Sequence, residues 1–228
     1  MLKFAHAATR EMRVLHAANG GDANRIAAMA PDLQDLPIFP LNTVLFPGGV
    51  LPLRVFETRY MDMTRDCLKS ERPFGVCLIR NGKEVGAAAE PEAVGCLAHI
   101  TSWDMEQLGL LQLHTRGGQR FRILGSSVAP QGLRRAHVEL IADEEDAALP
   151  EQFGALADLV RMVVADNDAA LFAEPHAFES ASWVGYRLSE ILKVPLAAKQ
   201  KLLELDGALP RLEILYKFLE QRGLVGRG

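Results

Sequence analysis

Apolar residues follow two regimes along the chain. Before residue 142 they fall in short runs bounded by glycine and proline, and beyond residue 150 they recur at the three- and four-residue spacing of helices. The first regime opens with Leu36-Pro37-Ile38-Phe39-Pro40-Leu41 and continues through Val44 to Leu53, with Pro47 and Pro52 inside it. Proline has no N–H to give a ladder, so these residues predict short or edge strands joined by turns. Tyr60, Met63, Thr64, Cys67 and Leu68 then share one helical face, which predicts a helix over 57–70. Strands are expected over Phe74–Ile79, Gly95–Trp103, Leu108–Thr115, Gln119–Val128 and Leu133–Ile141, with Asn81-Gly82 as a two-residue hairpin turn. Short strands at this spacing, with glycine between them, predict a barrel or a sandwich. Phe121 and Ile123 alternate with Arg120 and Arg122, so one strand face is apolar and the other basic.

The run Asp143-Glu144-Glu145-Asp146 separates the two regimes. Four adjacent carboxylates repel one another, which predicts an unpacked, solvated linker over 143–150. Beyond it, Phe153, Leu156, Ala157, Val160, Val163 and Val164 form one helical stripe, and Val184, Leu188, Ile191 and Leu192 form another. Pro195 and Pro210 stand where first helical turns begin, and Leu212, Leu215, Tyr216 and Leu219 mark a last helix that Gly223 can end. The predicted organisation is a tail over 1–34, poorly ordered or briefly helical, a β-rich subdomain over 35–142, the linker, and a helical bundle over 151–228.

Of the 228 residues, 49% are apolar and 24% charged, which excludes wholesale disorder. A net charge of −4 disfavours nucleic-acid binding through bulk charge, and no apolar run reaches the length of a membrane span. Cys67, Cys77 and Cys96 are odd in number and include no Cys-x-x-Cys pair, so they read as small buried hydrophobes in a reducing, cytoplasmic setting. There is no phosphate-binding loop, no dinucleotide turn and no His-Glu-x-x-His zinc signature. His99 and His114 both fall on predicted strands, where cross-strand pairing can bring histidines together, but a hydrogen-bonded or exposed strand histidine is the default. Ser189 and Lys193 lie four apart on a predicted helix and read as exposed surface, since spacing alone does not desolvate a lysine or aim it at a hydroxyl. No catalytic residue, metal site or cofactor is expected, and neither peptidase nor ATPase activity.

One charge pattern stands apart. Between Glu106 and Glu139 there is no carboxylate, while Arg116, Arg120, Arg122, Arg134 and Arg135 all fall there. These five are the candidate anion-binding residues, for phosphate or an acidic peptide. The competing reading has them pair with acids elsewhere, the 143–146 run among them.

The proline and aromatic spacing carries a resemblance. Leu36–Leu41, Val44–Gly48, Leu51–Glu57 with Arg59-Tyr60, Phe74–Val76, Gly95–Ile100 and Gly118–Ile123 resemble the N-terminal, substrate-binding domain of Lon proteases. Lys199–Glu204 and Arg211–Leu215 are similar to its closing helices, so the resemblance spans residues 35–222. It implies an α+β fold: an N-terminal PUA-like β-barrel carrying one helix, then a C-terminal helical bundle. It implies a stand-alone, non-catalytic module in protein quality control, without the ATPase and peptidase that follow this domain in Lon. The implied partners are unfolded or apolar polypeptide segments, with a protease or chaperone as a further partner. Candidate peptide-binding residues are Phe39, Phe46, Phe56, Tyr60 and Trp103, although Phe56 and Tyr60, flanking the first helix, are themselves expected in the core. Short proline-broken edges also offer backbone groups to an added strand. The alternatives are nucleic-acid or phosphate binding through Arg116–Arg135, and a small hydrolase, for which no nucleophile–base pair is evident.

Overall fold

The computed structural model of the protein describes residues 33–144, 147–166 and 171–226. The rest of the predicted tail, residues 1–32, lies outside them. Leu33 is ordered and its carbonyl accepts from Val138 N. The described residues belong to one compact unit.

Among the described residues, seven strands and five α-helices follow one another along the chain. They are β1 (Leu36–Leu41), β2 (Val50–Val55), α1 (Thr58–Ser70), β3 (Phe74–Asn81), β4 (Glu90–Pro91), β5 (Val94–Gln107), β6 (Leu110–Val128) and β7 (Arg134–Leu140). A single 3-10 turn then leads into α2 (Gly154–Asp166), α3 (Ala181–Ile191), α4 (Leu196–Glu204) and α5 (Ala208–Glu220). The pairing order is β1-β7-β6-β5-β3-β4, and β1 also pairs in parallel with β3, so the ladder returns to its starting strand.

The prolines of β1 are accommodated by a change of partner. Residues 36–38 pair with β7 and residues 38–41 with β3. Each half of the strand therefore keeps one open side, where a residue lacking N–H costs no ladder bond. β2 pairs only with β6, as an edge strand.

Glycine is where the expected strands and the observed ones part. The break expected between Thr115 and Gln119 does not occur, because β6 runs straight through Gly117-Gly118. Here glycine marks a close approach rather than a turn: a Cβ on Gly117 would sit 2.1 Å from the Phe46 carbonyl oxygen. Gly117 exchanges hydrogen bonds with the Pro47-Gly48-Gly49 turn, donating to the Gly49 carbonyl and accepting from Gly48 N, both at 2.8 Å. Asn81-Gly82 is likewise not a two-residue hairpin. Gly82 takes φ +107°, but residues 82–89 form a longer loop before β4.

The α1 stripe is as expected: Tyr60, Met63, Thr64 and Cys67 are buried against the sheet, beside Phe39, Phe74 and Val76. A second cluster, with Ile38, Leu97, Phe121 and Val138, lies among the strands of the ladder. The third joins α2–α5 to the sheet, with Val44, Phe46, Leu78 and Val94 packed among Leu156, Val184, Leu188 and Leu212. Arg120 and Phe121 of β6 are consequently both buried, Phe121 among the strands and Arg120 under the helices. The basic face expected on this strand is therefore partly covered.

Candidate functional site

The five candidate aromatics do not form one surface. Phe39, Phe46 and Tyr60 are buried, with Phe39 stacked on Tyr60 at 4.0 Å between centroids and Phe46 tilted against Tyr186. Phe56 is 56% exposed, against the expectation of a core position. The reason is strand parity: Leu53 and Val55 point inward, so Arg54 and Phe56 point out. Trp103 is half-buried against the α1 side of the sheet. Val55 faces Leu111 and Trp103 faces Leu113, so Phe56 and Trp103 flank opposite sides of the same stretch of β6.

The five arginines are dispersed as well. Arg134 donates to the Ala89 carbonyl and to Ser126, and Arg135 pairs with Asp35 at 2.7 Å. Arg122 is exposed and faces Glu139 across the ladder, and Arg116 faces His99. His114 faces Ser102, so the two strand histidines are not cross-strand partners.

Arg120 has a structural role that its charge pattern did not disclose. Its side chain is 4% exposed and its Nη1 donates to the carbonyls of Leu203 and Leu205, at 2.8 and 2.7 Å, where α4 ends. Its Nη2 lies 3.8 Å from Glu144, one of the four carboxylates expected to be solvated. Glu144 is instead only 5% exposed. It accepts both arms of Arg211 at 3.0 and 2.6 Å and the Tyr186 hydroxyl at 2.9 Å. Arg211 is itself fully buried, donates to the Leu202 and Leu205 carbonyls, and stacks over the Tyr186 ring at 4.0 Å. Backbone hydrogen bonds from Leu149 N to the Glu179 carbonyl and from Ala181 N to the Ala147 carbonyl hold residues 147–149 against the start of α3. The competing reading of the arginine stretch, pairing with the acidic run, thus holds at Arg120.

The open apolar surface lies elsewhere. Between α4 and α5 an apolar groove of about 400 Å³ is lined by Leu192, Pro195, Ala198, Leu202, Ile214 and Phe218, with Lys201 at its edge. Ile214 is 49% exposed and Leu196, at the start of α4, is 37% exposed. The helical stripe read from the sequence, Leu212-Leu215-Tyr216-Leu219, is the buried face of α5. The signal for the groove was the apolar surplus beside that stripe: Leu209, Ile214 and Phe218 make α5 apolar over more than one face.

Comparison with known proteins places this architecture. The profile of the ATP-dependent protease La (LON) substrate-binding domain matches residues 35–221. The chain belongs to this family. It is 28% identical to Lon protease of Anaeromyxobacter dehalogenans over 82% of this chain and 23% of that protein. It is 29% identical to protein cereblon of Danio rerio over 57% of this chain and 30% of that one. The chain thus spans less than a third of the length of these curated relatives. Among solved structures, the Lon N-terminal domain protein from Xanthomonas campestris superposes with TM-score 0.69 at 35% identity, covering 81% of this chain and 98% of that one. The N-terminal domain of Mycobacterium avium complex Lon protease shares the fold, with TM-score 0.57 at 17% identity over 81% of this chain and 97% of that one. The fold is that of a Lon N-terminal domain, mixed in helices and sheet.

In this Lon substrate-binding domain Ser189 and the three cysteines are enclosed. Ser189 is fully buried, correcting its reading as exposed surface, and its hydroxyl donates to the Gly185 carbonyl one turn back. Cys67, Cys77 and Cys96 are all buried, and burial pushes each thiol up, Cys67 to about 11. No helix among the described residues is long and apolar enough to cross a membrane.

A second buried ion pair joins α3 to the Pro47-Gly48-Gly49 turn. Arg187, 1% exposed, donates to the Pro47 carbonyl at 2.7 Å and to Glu190 at 2.8 Å. Burial pushes the Glu190 carboxyl from its ordinary 4.5 up to about 7, against the pull of Arg187 and Lys199. The folded value is raised, so the stability this group contributes is complete below about 4.5 and is lost as pH rises through about 7. Glu190→Gln cannot ionise and is expected to flatten that dependence, gaining on the order of 2 kcal/mol on the parent between about pH 5 and pH 8. Urea denaturation at the two pH values checks this, and an equal offset at both contradicts it.

Proposed function

We propose that this chain is a non-catalytic polypeptide-binding module that takes apolar segments of unfolded or partly folded chains in the α4–α5 groove. The observation that carries the reading is the groove itself, an almost wholly apolar surface left open on a domain whose family is defined by substrate binding. Apolar grooves of this kind take side chains from an amphipathic or extended partner. In this reading the closed strand ladder is the PUA-like barrel, α2–α5 are the helical bundle, and a protease or chaperone receives what the module holds.

The test is fluorescence anisotropy with a labelled twelve-residue peptide of leucine, valine and serine. Ile214→Glu is expected to weaken binding at least about tenfold, the loss of one good apolar contact. The parent affinity is expected to change less than about threefold between 50 and 200 mM salt, where 6–10 phosphate contacts would lose roughly a thousandfold or more. Unchanged binding by Ile214→Glu, or a steep salt dependence with loss on Arg116→Ser or Arg122→Ser, would overturn the reading in favour of an anionic ligand.

A further inference from the structure

Where the turn before β2, the β7–α2 connection and the start of α3 meet, a further cavity of about 320 Å³ opens, sharing no lining residue with the α4–α5 groove. Pro47, Trp183 and Tyr186 give it apolar and aromatic walls. Trp183 is half-buried and braced edge-to-face by Phe172 and Phe178, with ring centroids at 6.1 and 5.1 Å.

The polar groups on these walls are not all engaged. Arg120 is 3% exposed, and its Nη1 is turned to the carbonyls of Leu203 and Leu205, neither of which lines the cavity. Its Nη2 has no hydrogen-bond partner among the described residues: Glu144, which does line the cavity, stops at 3.8 Å and Asp206 at 3.9 Å. A guanidinium nitrogen buried in this way still wants an acceptor. Asp143 lines the same cavity as an exposed carboxylate with no hydrogen bond or ion pair among the described residues. The Ser180 and Ser182 hydroxyls bond each other at 3.2 Å, which uses one of their two hydrogens and leaves the other to donate.

Charge and size narrow the ligand. Arg120 and Arg211 cancel against Glu144 and Asp143, and Asp206, 88% exposed, adds one more carboxylate beside Arg120. An anion would meet three carboxylates, and a cation would meet a desolvated guanidinium, so a neutral ligand fits best. What the walls offer is one donor, one acceptor and a hydroxyl pair beside an aromatic ring. A ligand whose polar groups each donate and accept can answer all of these together, and hydroxyls do so. The volume lies at the low end of small-molecule sites, roughly 300–1,000 Å³, which suits a single ring. We propose that this cavity binds a neutral polyhydroxylated ring of monosaccharide size. One hydroxyl oxygen accepts from Arg120 Nη2, others reach Asp143 and Ser182, and an apolar ring face lies against Trp183.

Tryptophan emission tests this. The chain has two tryptophans, so Trp103→Phe leaves Trp183 as the sole reporter of the cavity. Titration with glucose, galactose, mannose, ribose and myo-inositol is expected to give a saturable change with at least one of them, at a dissociation constant of about 1 mM. Saturation-transfer NMR on the parent chain supplies a second reading that needs no substitution. Gluconate and glucosamine, the charged counterparts, are expected to bind at least about tenfold more weakly. Asp143→Ala and Ser182→Ala each remove one polar partner while leaving Arg120, Glu144 and Arg211 in place, and each is expected to weaken binding about three- to tenfold. Ile214→Glu, in the groove, should bind the ring as the parent does. No saturable response by either method up to about 50 mM ligand would overturn the proposal. So would tighter binding of gluconate than of any neutral ring, or binding unchanged in both Asp143→Ala and Ser182→Ala.

Discussion

Glu144→Ala is expected to destabilise the fold by about 3–5 kcal/mol, although its position in a run of four acidic residues suggests a tolerant surface. The expectation follows from what the carboxylate holds. Arg211 is wholly buried and Arg120 nearly so, and Glu144 is the acid that both approach. Asp206, the other carboxylate near Arg120, lies 3.9 Å away and is 88% exposed, so it compensates little. Removing Glu144 leaves two guanidiniums in a low-dielectric interior with carbonyl partners and, for Arg120, the exposed Asp206 alone, and removes the acceptor of the Tyr186 hydroxyl. Asp143→Ala, one residue earlier and exposed, is expected to lie within about 0.5 kcal/mol of the parent. Urea denaturation of the two variants side by side checks the contrast. Equal, small effects would mean that Glu144 is as solvated as Asp143.

Gly117→Ala is expected to cost about 3 kcal/mol, at the upper end of overpacking changes. The new methyl would meet the Phe46 carbonyl oxygen at 2.1 Å, and that oxygen is backbone in a buried segment with little freedom to move. Relief requires β6 to separate from the Pro47-Gly48-Gly49 turn, stretching the two 2.8 Å bonds that join them. The same displacement would pull Pro47 from Arg187, so the loss reaches α3. Gly125→Ala, on the same strand with nothing within 4 Å of an added Cβ, is the control and should be nearly neutral. Thermal unfolding that ranks the two variants equally would contradict the steric argument.

Periodicity revealed the elements that bury one clean face. The Tyr60-Met63-Thr64-Cys67 stripe, the Leu156–Val160 stripe and the Val184–Leu188 stripe all became core, because one-sided burial leaves a repeat in the sequence. Features arising from contacts distant in sequence left no such repeat. Gly117 looked like a turn because nothing local announces that Phe46 must approach its backbone. Glu144 looked solvated because its partners, Arg120 and Arg211, lie 24 residues before it and 67 after it in the chain. The aromatics suggested a binding surface, yet Phe39, Phe46 and Tyr60 serve the cores and the groove uses aliphatic residues from a helix whose main stripe is elsewhere. The spacing of Leu36–Leu41 and its successors carried the family resemblance, and the family profile spans nearly the same residues.

The most direct measurement is photo-crosslinking of the labelled apolar peptide, with a diazirine on one leucine, followed by mass-spectrometric mapping of the adducts on the full chain. The account predicts adducts concentrated on Leu192–Phe218, lost in Ile214→Glu and suppressed by excess unlabelled peptide. Adducts confined to the strand face around Phe56 and Trp103, or to the neighbourhood of Arg116 and Arg122, would contradict it.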